Sequence, residues 1–295
     1  MYEYVTLFHP KLLELYELEL TSNDLYQSNL DIEIVNGNEI KIPSLTVSGY
    51  KDHNRNVVGF NAGSYMNDYE TKRLDHDRDI EFFVDPMDED ETARIIKVAN
   101  LHNRFEKTQA IPELDCYTYS KVYSEANRVG AKITTTQLNV SNALADFDEN
   151  IKGFKEAKVP LSRIIMYCTP TYETLIKNAE GIQRTLEITK PNAIDRRFNS
   201  IDDIGKIKVI PSELLKTAFD FSDGYAVDPT GKQINYILID PEAQVSRVKY
   251  SYINVFPKGH DSRTADKDIY QNRRYNGTFA LDQLLKKGVI INREP

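Results

Sequence analysis

The 295-residue sequence contains no tryptophan, only two cysteines and no run of eighteen apolar residues. Two cysteines cannot build a framework of several disulfides, which excludes a disulfide-stapled secreted domain. Without a long apolar run, no segment has the length of a membrane-spanning helix. The N-terminus also lacks the basic start and apolar stretch of a secretory signal. We therefore expect a globular, cytoplasmic chain of one large domain or two closely joined ones.

The sequence also lacks an excess of positive charge and the common catalytic motifs. Its formal net charge is −8, which argues against a protein whose main task is to grip phosphate backbones. Neither glycine-rich phosphate-binding pattern, G-x-G-x-x-G or G-x-x-x-x-G-K-[ST], occurs. The nucleophile motif G-x-S-x-G and the zinc motif H-E-x-x-H are missing as well. We predict no catalytic residue, no cofactor-binding residue and no cofactor.

A hairpin arm is predicted in the first third of the chain. Residues 39–49 and 71–84 have the composition of strands, and a polar excursion rich in turn-forming residues joins them. Pro43 indicates that the first strand lies at an edge. Alternation along the second strand puts Leu74, His76, Arg78, Ile80, Phe82 and Val84 on one face. The opposite face carries Asp75, Asp77, Asp79 and Glu81.

The remaining sequence mixes helices and strands without βαβ regularity, which favours an α+β fold. A short helix is predicted near residues 10–20. A longer helix begins near Asp88, breaks or restarts at Pro112 and stops at Gly130. An apolar stripe over residues 140–154 predicts another helix, and Thr169-Pro170 has the signature of a helix start. Further strands are predicted at 162–168, 206–210, 235–240 and 246–255, and a strand-rich section at 275–291.

Asp75, His76 and Asp77 suggest a metal-dependent hydrolase, because metal sites use these residue types. On a strand, however, His76 points away from the aspartates, and same-face aspartates lie about 7 Å apart at the backbone. We therefore predict no metal ligand here. Our interpretation is a carboxylate row of Asp75, Asp77, Asp79 and Glu81 that docks on basic residues of a neighbouring subunit.

Two further features have competing interpretations. The basic pair Arg196-Arg197 could contact nucleic acid through phosphates and stacking. Arginine beside an aromatic residue is equally typical of subunit contacts, which is the interpretation we prefer. Cys168 lies at a strand end before a helix, where thiols can become reactive. A buried core cysteine is the better prediction, for Cys116 as well.

Several segments resemble, in order, the major capsid proteins of tailed bacteriophages, especially long-tailed phages of low-GC Gram-positive bacteria. Residues 41–49 and 74–88, with the polar excursion between them, are similar to the extended loop of that family. Residues 91–93 and 110–117 resemble the spine-helix region of that family. Residues 163–171 and 209–212 resemble its axial-domain strands, and residues 274–279 resemble its returning C-terminal strand. The resemblance covers about residues 35–291.

This resemblance implies the Hong Kong 97-type fold, with a predicted division along the chain. The parts are an N-terminal arm (1–34), an extended hairpin loop (35–85), a peripheral domain with a spine helix (86–135), a mostly axial domain (136–255) and a return to the peripheral domain (256–295).

The resemblance also implies a structural virion protein and not an enzyme. Such a chain forms pentamers and hexamers of an icosahedral shell around double-stranded DNA, assembled in the host cytoplasm. The implied partners are copies of itself, a portal protein and packaged DNA held by weak non-specific contacts, with no membrane. Because only residues 1–34 precede the resemblance, we expect a separate scaffolding protein. The alternatives are an encapsulin-like nanocompartment shell and the metal-dependent hydrolase.

Overall fold

The computed structural model describes residues 20–28, 39–53, 59–85, 87, 98–179, 204–259 and 265–295. The helix predicted near residues 10–20, the helix start near Asp88 and the pair Arg196-Arg197 lie outside them. Within these ranges helices and strands are mixed, and the predicted α+β class is confirmed. No helix in the described part of the chain is both long and apolar enough to cross a membrane.

The predicted hairpin arm is present as a two-stranded antiparallel sheet. Strand β1 (Glu39–Val47) pairs with β2 (Tyr65–Arg73), from Glu39 opposite Arg73 to Val47 opposite Tyr65. Both strands have a free edge in this sheet, so Pro43, which has no N–H to donate, fits in β1 as expected.

The prediction of one continuous return strand over residues 71–84 is wrong. The strand breaks at Leu74, and β3 (His76–Val84) joins a different sheet. Leu74 packs against Gly277, where a Cβ atom would lie 2.3 Å from the leucine Cδ2 atom. The Tyr275 hydroxyl donates to the Leu74 carbonyl at 2.9 Å. These contacts fix the point at which the chain leaves the hairpin.

A three-stranded antiparallel sheet has the order β10 (Gln244–Phe256), β11 (Asp268–Ala280) and β3. Its central strand pairs with β3 over nine positions, from Asp268 opposite Val84 to Asn276 opposite His76. The predicted strand at 246–255 is therefore confirmed. The predicted strand-rich end of the chain is only partly right, since α6 (Asp282–Gly288) follows β11.

A long helix, here called the spine helix, runs between the two main sheets. It consists of α2 (Val98–Phe105), a π-helical turn (Glu106–Ala110) and α3 (Ile111–Val129). Proline clashes with the preceding turn and offers no N–H. The chain accommodates Pro112 with a wider π turn, so the predicted break is an interruption of the α-helical pattern and not an end of the helix. Gly130 adopts φ 70° and ψ 39° and ends the helix as predicted.

The larger sheet has five strands in the order β4 (Lys132–Thr134), β12 (Val289–Arg293), β9 (Ile234–Ile239), β5 (Ile165–Cys168) and β6 (Lys206–Val209). Both β4 and β12 belong to it. The predicted division placed their residues with the peripheral domain and most of β10 with the axial one, whereas β10 and β11 both lie in the three-stranded sheet. A two-stranded ribbon of β7 (Phe219–Asp220) and β8 (Ala226–Val227) lies between β6 and β9 in sequence.

Both faces of the five-stranded sheet are covered, because successive strand residues alternate between two cores. Ile237 and Ile239 pack with the spine helix residues Tyr119 and Val122. Tyr236 and Leu238 pack under α4 (Ala143–Glu156) and α5 (Pro170–Asn178). Helix α5 starts as predicted, with the Thr169 side chain accepting a hydrogen bond from the Tyr172 N–H.

Candidate subunit-contact surface

The outer face of β3 carries the carboxylate row that the alternation predicts. Asp77 and Asp79 are exposed and Glu81 is half-buried, while His76 and Val84 at the two ends of the inner face are buried. Asp75, just before the strand, is exposed as well. Asp77, Asp79 and Glu81 therefore share the outer side of the three-stranded sheet, whereas Asp75 lies before the strand and reaches the spine helix.

Asp75 already has partners within its own subunit. Its Oδ1 atom accepts a hydrogen bond from the Tyr117 hydroxyl at 2.5 Å, and its Oδ2 atom forms a salt bridge with Lys121. Burial raises the pKa of Tyr117 above the ordinary value for tyrosine, and the bond to the carboxylate raises it further. Asp75 thus joins the start of β3 to the spine helix.

The other three acidic residues of the row, Asp77, Glu81 and Asp79, differ in the partners that each has within its own subunit. The Asp77 carboxylate accepts two bonds from the Arg273 guanidinium, at 3.0 and 2.6 Å, and this pairing lowers the pKa of Asp77. Glu81 accepts a hydrogen bond from Gln271 at 2.7 Å. Among the described residues, Asp79 has neither a hydrogen bond nor a salt bridge. It is the carboxylate of the row that is best placed for an external partner.

The arrangement does not bring together the residues of the hydrolase hypothesis. His76 stacks on Tyr117 with ring centroids 4.1 Å apart and faces Phe221 edge-on at 5.3 Å. Its Nε2 atom lies 3.5 Å from Glu113 on the inner side of the sheet, whereas Asp77 is paired on the outer side. Across the described ranges, no three His, Cys, Asp or Glu side chains are grouped so that they could hold a metal ion.

The free end of the hairpin is the most exposed apolar surface of the described chain. Five large side chains there are 67–109% exposed: Val47, Tyr50, Phe60, Tyr65 and Met66. Monomeric proteins rarely leave such a cluster open to water unless it meets a partner. The composition of residues 50–70 suggested only a polar loop. Its scattered aromatic residues were the signal that sequence reasoning missed.

A buried ion pair joins the spine helix to the three-stranded sheet. Glu106, in the π turn, accepts two 2.8 Å bonds from Arg274 and one from Asn272 at 2.8 Å. His102 hydrogen-bonds to the Tyr270 hydroxyl at 2.5 Å. Burial, helped by the positive charge of Arg274, lowers the pKa of His102 to about 4. Nothing in the local sequence around Glu106 indicates that this residue is buried.

The described part of the N-terminal arm is anchored by a second buried carboxylate. Asp115 on the spine helix accepts bonds from the Thr21 N–H at 3.1 Å, the Thr21 hydroxyl at 2.7 Å and the Ser22 N–H at 3.0 Å. Leu25, in the short helix α1 (Asn23–Tyr26), is fully buried in the core beside Tyr119. The arm is thus part of the folded subunit at this point.

Both cysteines are buried in the core, as the sequence predicts. Burial raises the pKa of the Cys168 thiol to about 12. A thiol with so high a pKa is almost entirely protonated at neutral pH and is a poor nucleophile.

Comparison with known proteins gives matches in structure only. No protein-family profile matches the chain, and none of the curated proteins matches it. The mature capsid of bacteriophage PhiM1 aligns with a TM-score of 0.64 and 11% identity, over 88% of this chain and 82% of that one. The capsid structure of cyanophage P-SCSP1u aligns with a TM-score of 0.55 and 12% identity, over 89% and 85%.

A third solved structure is that of a virus-like particle. The virus-like particle of Pyrococcus furiosus aligns with a TM-score of 0.54 and 11% identity, over 98% of this chain and 99% of that one. Likeness at these identities concerns the fold. Since it spans most of each chain, this protein has the Hong Kong 97-type fold.

Proposed function

We propose that this protein is the major capsid protein of a tailed bacteriophage, a structural subunit that assembles through pentamers and hexamers into an icosahedral shell around double-stranded DNA. The observation that carries the proposal is the likeness to the PhiM1 mature capsid over 88% of the chain. Closed shells of one chain are built from repeated head-to-tail contacts. Each contact can be modest, because many of them act together.

The hairpin and the carboxylate row support this role, because each presents exposed side chains to which a neighbouring subunit can bind. An isolated two-stranded hairpin is marginal in water. The β1–β2 hairpin also exposes five large apolar side chains at its free end. We propose that the hairpin packs on a neighbouring subunit, and that Asp75, Asp77, Asp79 and Glu81 face basic residues across a subunit boundary, with Asp79 the main contributor. We propose Arg196 and Arg197 as further contact residues.

The predicted division of the chain is proposed with one adjustment. Residues 1–34 form the arm, 35–85 the extended loop and 86–135 the peripheral domain with the spine helix, while 136–255 are mostly axial. Within 256–295, we assign β11 to the peripheral domain and β12, which lies in the five-stranded sheet, to the axial domain.

The proposed partners are further copies of the chain, a portal protein, a separate scaffolding protein and the packaged DNA, which the wall contacts weakly. The virion is the proposed location, with assembly in the host cytoplasm. Co-expression with the scaffolding protein is expected to give uniform shells where the lone chain gives capsomers or irregular assemblies. Uniform shells of correct size from the lone chain would count against a required scaffold.

An encapsulin-like shell is the second candidate, and the likeness to the Pyrococcus furiosus particle favours it. The content of purified particles separates the two. Double-stranded DNA of genome length inside the native particle supports the capsid, whereas a folded cargo enzyme supports the compartment.

We propose that the protein has no enzymatic role. Elemental analysis of the purified chain tests the hydrolase alternative. Zinc or manganese near one ion per chain, lost in Asp77→Ala, would overturn the proposal of a purely structural role.

A further inference from the structure

Residues 216–233, here called the strap, leave the five-stranded sheet and reach the three-stranded one. They connect β6 to β9, two strands that are separated by β5 in the sheet. The strap contains the β7–β8 ribbon, and its tip lies between these two strands.

The base of the strap is fixed to the five-stranded sheet. The Ile234 N–H donates to the Leu215 carbonyl at 3.0 Å, and the Thr217 N–H donates to the Lys232 carbonyl at 2.9 Å. Leu215 and Ile234 are fully buried in the core between this sheet and the spine helix. The base therefore moves with the five-stranded sheet.

Two side chains of the other sheet hold the tip of the strap: Arg78 through hydrogen bonds, and His76, whose ring faces Phe221 edge-on at 5.3 Å. Arg78 on β3 donates to the Phe221 carbonyl at 2.5 Å and to the Gly224 carbonyl at 3.3 Å. Its Nε atom donates to Glu113 on the spine helix at 2.7 Å. The planar guanidinium presents donors in several directions, which the point charge of lysine cannot reproduce.

Between base and tip, the strap also crosses the π turn of the spine helix. The Tyr225 hydroxyl donates to the Thr108 carbonyl at 3.5 Å. Pro112 has no N–H with which to complete the α-helical bond to that carbonyl. The strap thus contacts the helix where its own hydrogen bonding is interrupted.

We infer that the strap is a positioning device that fixes the angle between the two sheets, with Arg78 as its latch. The two sheets are also joined by residues 240–243 between β9 and β10 and by α6 between β11 and β12, where the Leu281 N–H donates to the Ala243 carbonyl at 3.1 Å. The strap is a further connection, which crosses the π turn of the spine helix and reaches β3 at Arg78. Its latch is 34% exposed in the side chain, so water can replace its bonds to the two carbonyls. This role concerns the single subunit and goes beyond shell building.

The angle can be measured by pulsed electron spin resonance between two spin labels on the full-length chain. Lys152→Cys on α4 and Tyr250→Cys on β10 give one exposed thiol on each sheet, and the native cysteines are buried. We expect Arg78→Gln to widen the distance distribution at least twofold. Hydrogen exchange in residues 217–230 should rise at least tenfold, with little change in β5 and β9.

Arg128→Gln is the matched control. Arg128 also joins the spine helix to another element, since it pairs with Asp282 on α6, but it lies away from the strap. It should leave the distribution unchanged. Arg78→Lys keeps a cation beside Glu113 and should give an intermediate width, which also covers the case in which Arg78→Gln fails to fold. An unchanged width and unchanged strap exchange in either folded Arg78 variant would overturn the inference, whether or not shells assemble.

Discussion

Asp77 and Arg273 form a two-point salt bridge across the outer face of the three-stranded sheet, while Asp79, directly opposite Arg273 in the strand register, has no bond of its own within the described chain. The acidic residues of the predicted carboxylate row therefore differ in how far their charge is already paired. Asp77 is largely neutralised within the subunit, whereas the charge of Asp79 is available for a partner.

Charge reversal at Asp79 is expected to impair shell assembly with little effect on folding. Isolated exposed charges contribute little to stability, typically less than about 1 kcal/mol. Asp79→Lys should therefore unfold within about 1 kcal/mol of the wild type in urea, yet assemble poorly in electron micrographs. Asp75→Lys is the comparison. It loses the bonds to Tyr117 and Lys121, so its unfolding free energy should fall by about 1–2 kcal/mol. Normal assembly of Asp79→Lys would remove the row from the subunit contact.

Shortening the hairpin is expected to separate folding from assembly. Replacing residues 48–64 by a Gly-Ser turn removes Tyr50 and Phe60 but leaves the paired strands. The shortened chain should keep its circular dichroism spectrum and melting temperature, because these side chains are exposed, and should fail to form stable shells. The double variant Tyr50→Ser/Phe60→Ser, which keeps the loop length, should also fail to form stable shells. Shells of normal stability from both variants would show that the tip has no role in the contact.

Asp115 is expected to control the docking of the arm. Removing a buried carboxylate that accepts three bonds leaves the donors of Thr21 and Ser22 unpaired. Asp115→Ala should cost about 2–4 kcal/mol of unfolding free energy. Limited proteolysis should then cut within residues 20–28 before the rest of the chain unfolds. Asp24→Ala, which removes a partly buried pair with Lys206 and Lys208, is the milder control. Equal protease resistance of wild type and Asp115→Ala would contradict this.

Acid is expected to weaken the base of the hairpin through Asp282. Bonds from Arg128 and Lys72 hold the pKa of Asp282 below its ordinary value of 3.8. A carboxylate with a lowered pKa in the folded state stabilises the fold above the unfolded-state pKa, and this contribution is lost as the pH falls through the folded-state value. The stability difference between wild type and Asp282→Asn, followed by urea unfolding, should therefore be constant from pH 7 to about 5 and shrink below about 4. A difference independent of pH would refute the assignment.

The elements that sequence reasoning predicted are those whose signals are local. The alternation along β3, the stop at Gly130 and the start at Thr169-Pro170 depend on residues within one turn or strand. The turn-forming residues between β1 and β2 likewise predict the hairpin loop from composition alone.

The errors and omissions depend on partners far along the chain. The break at Leu74 follows from its contact with Gly277, about two hundred residues away in sequence. Burial of Glu106 and Asp115 depends on Arg274 and on the arm, and charged residues are ordinarily expected at the surface. Hydrogen bonds from Arg274 to Glu106 and from the arm to Asp115 stabilise these two buried carboxylates. Nothing in the local sequence predicts those bonds.

Electron microscopy of the purified protein, expressed alone and together with the proposed separate scaffolding protein, tests the central claim most directly. The account predicts five- and six-membered rings or irregular curved assemblies from the lone chain, and closed icosahedral particles from the co-expression. Monomers that form no ring or particle under either condition, at concentrations of tens of micromolar or above, would contradict it.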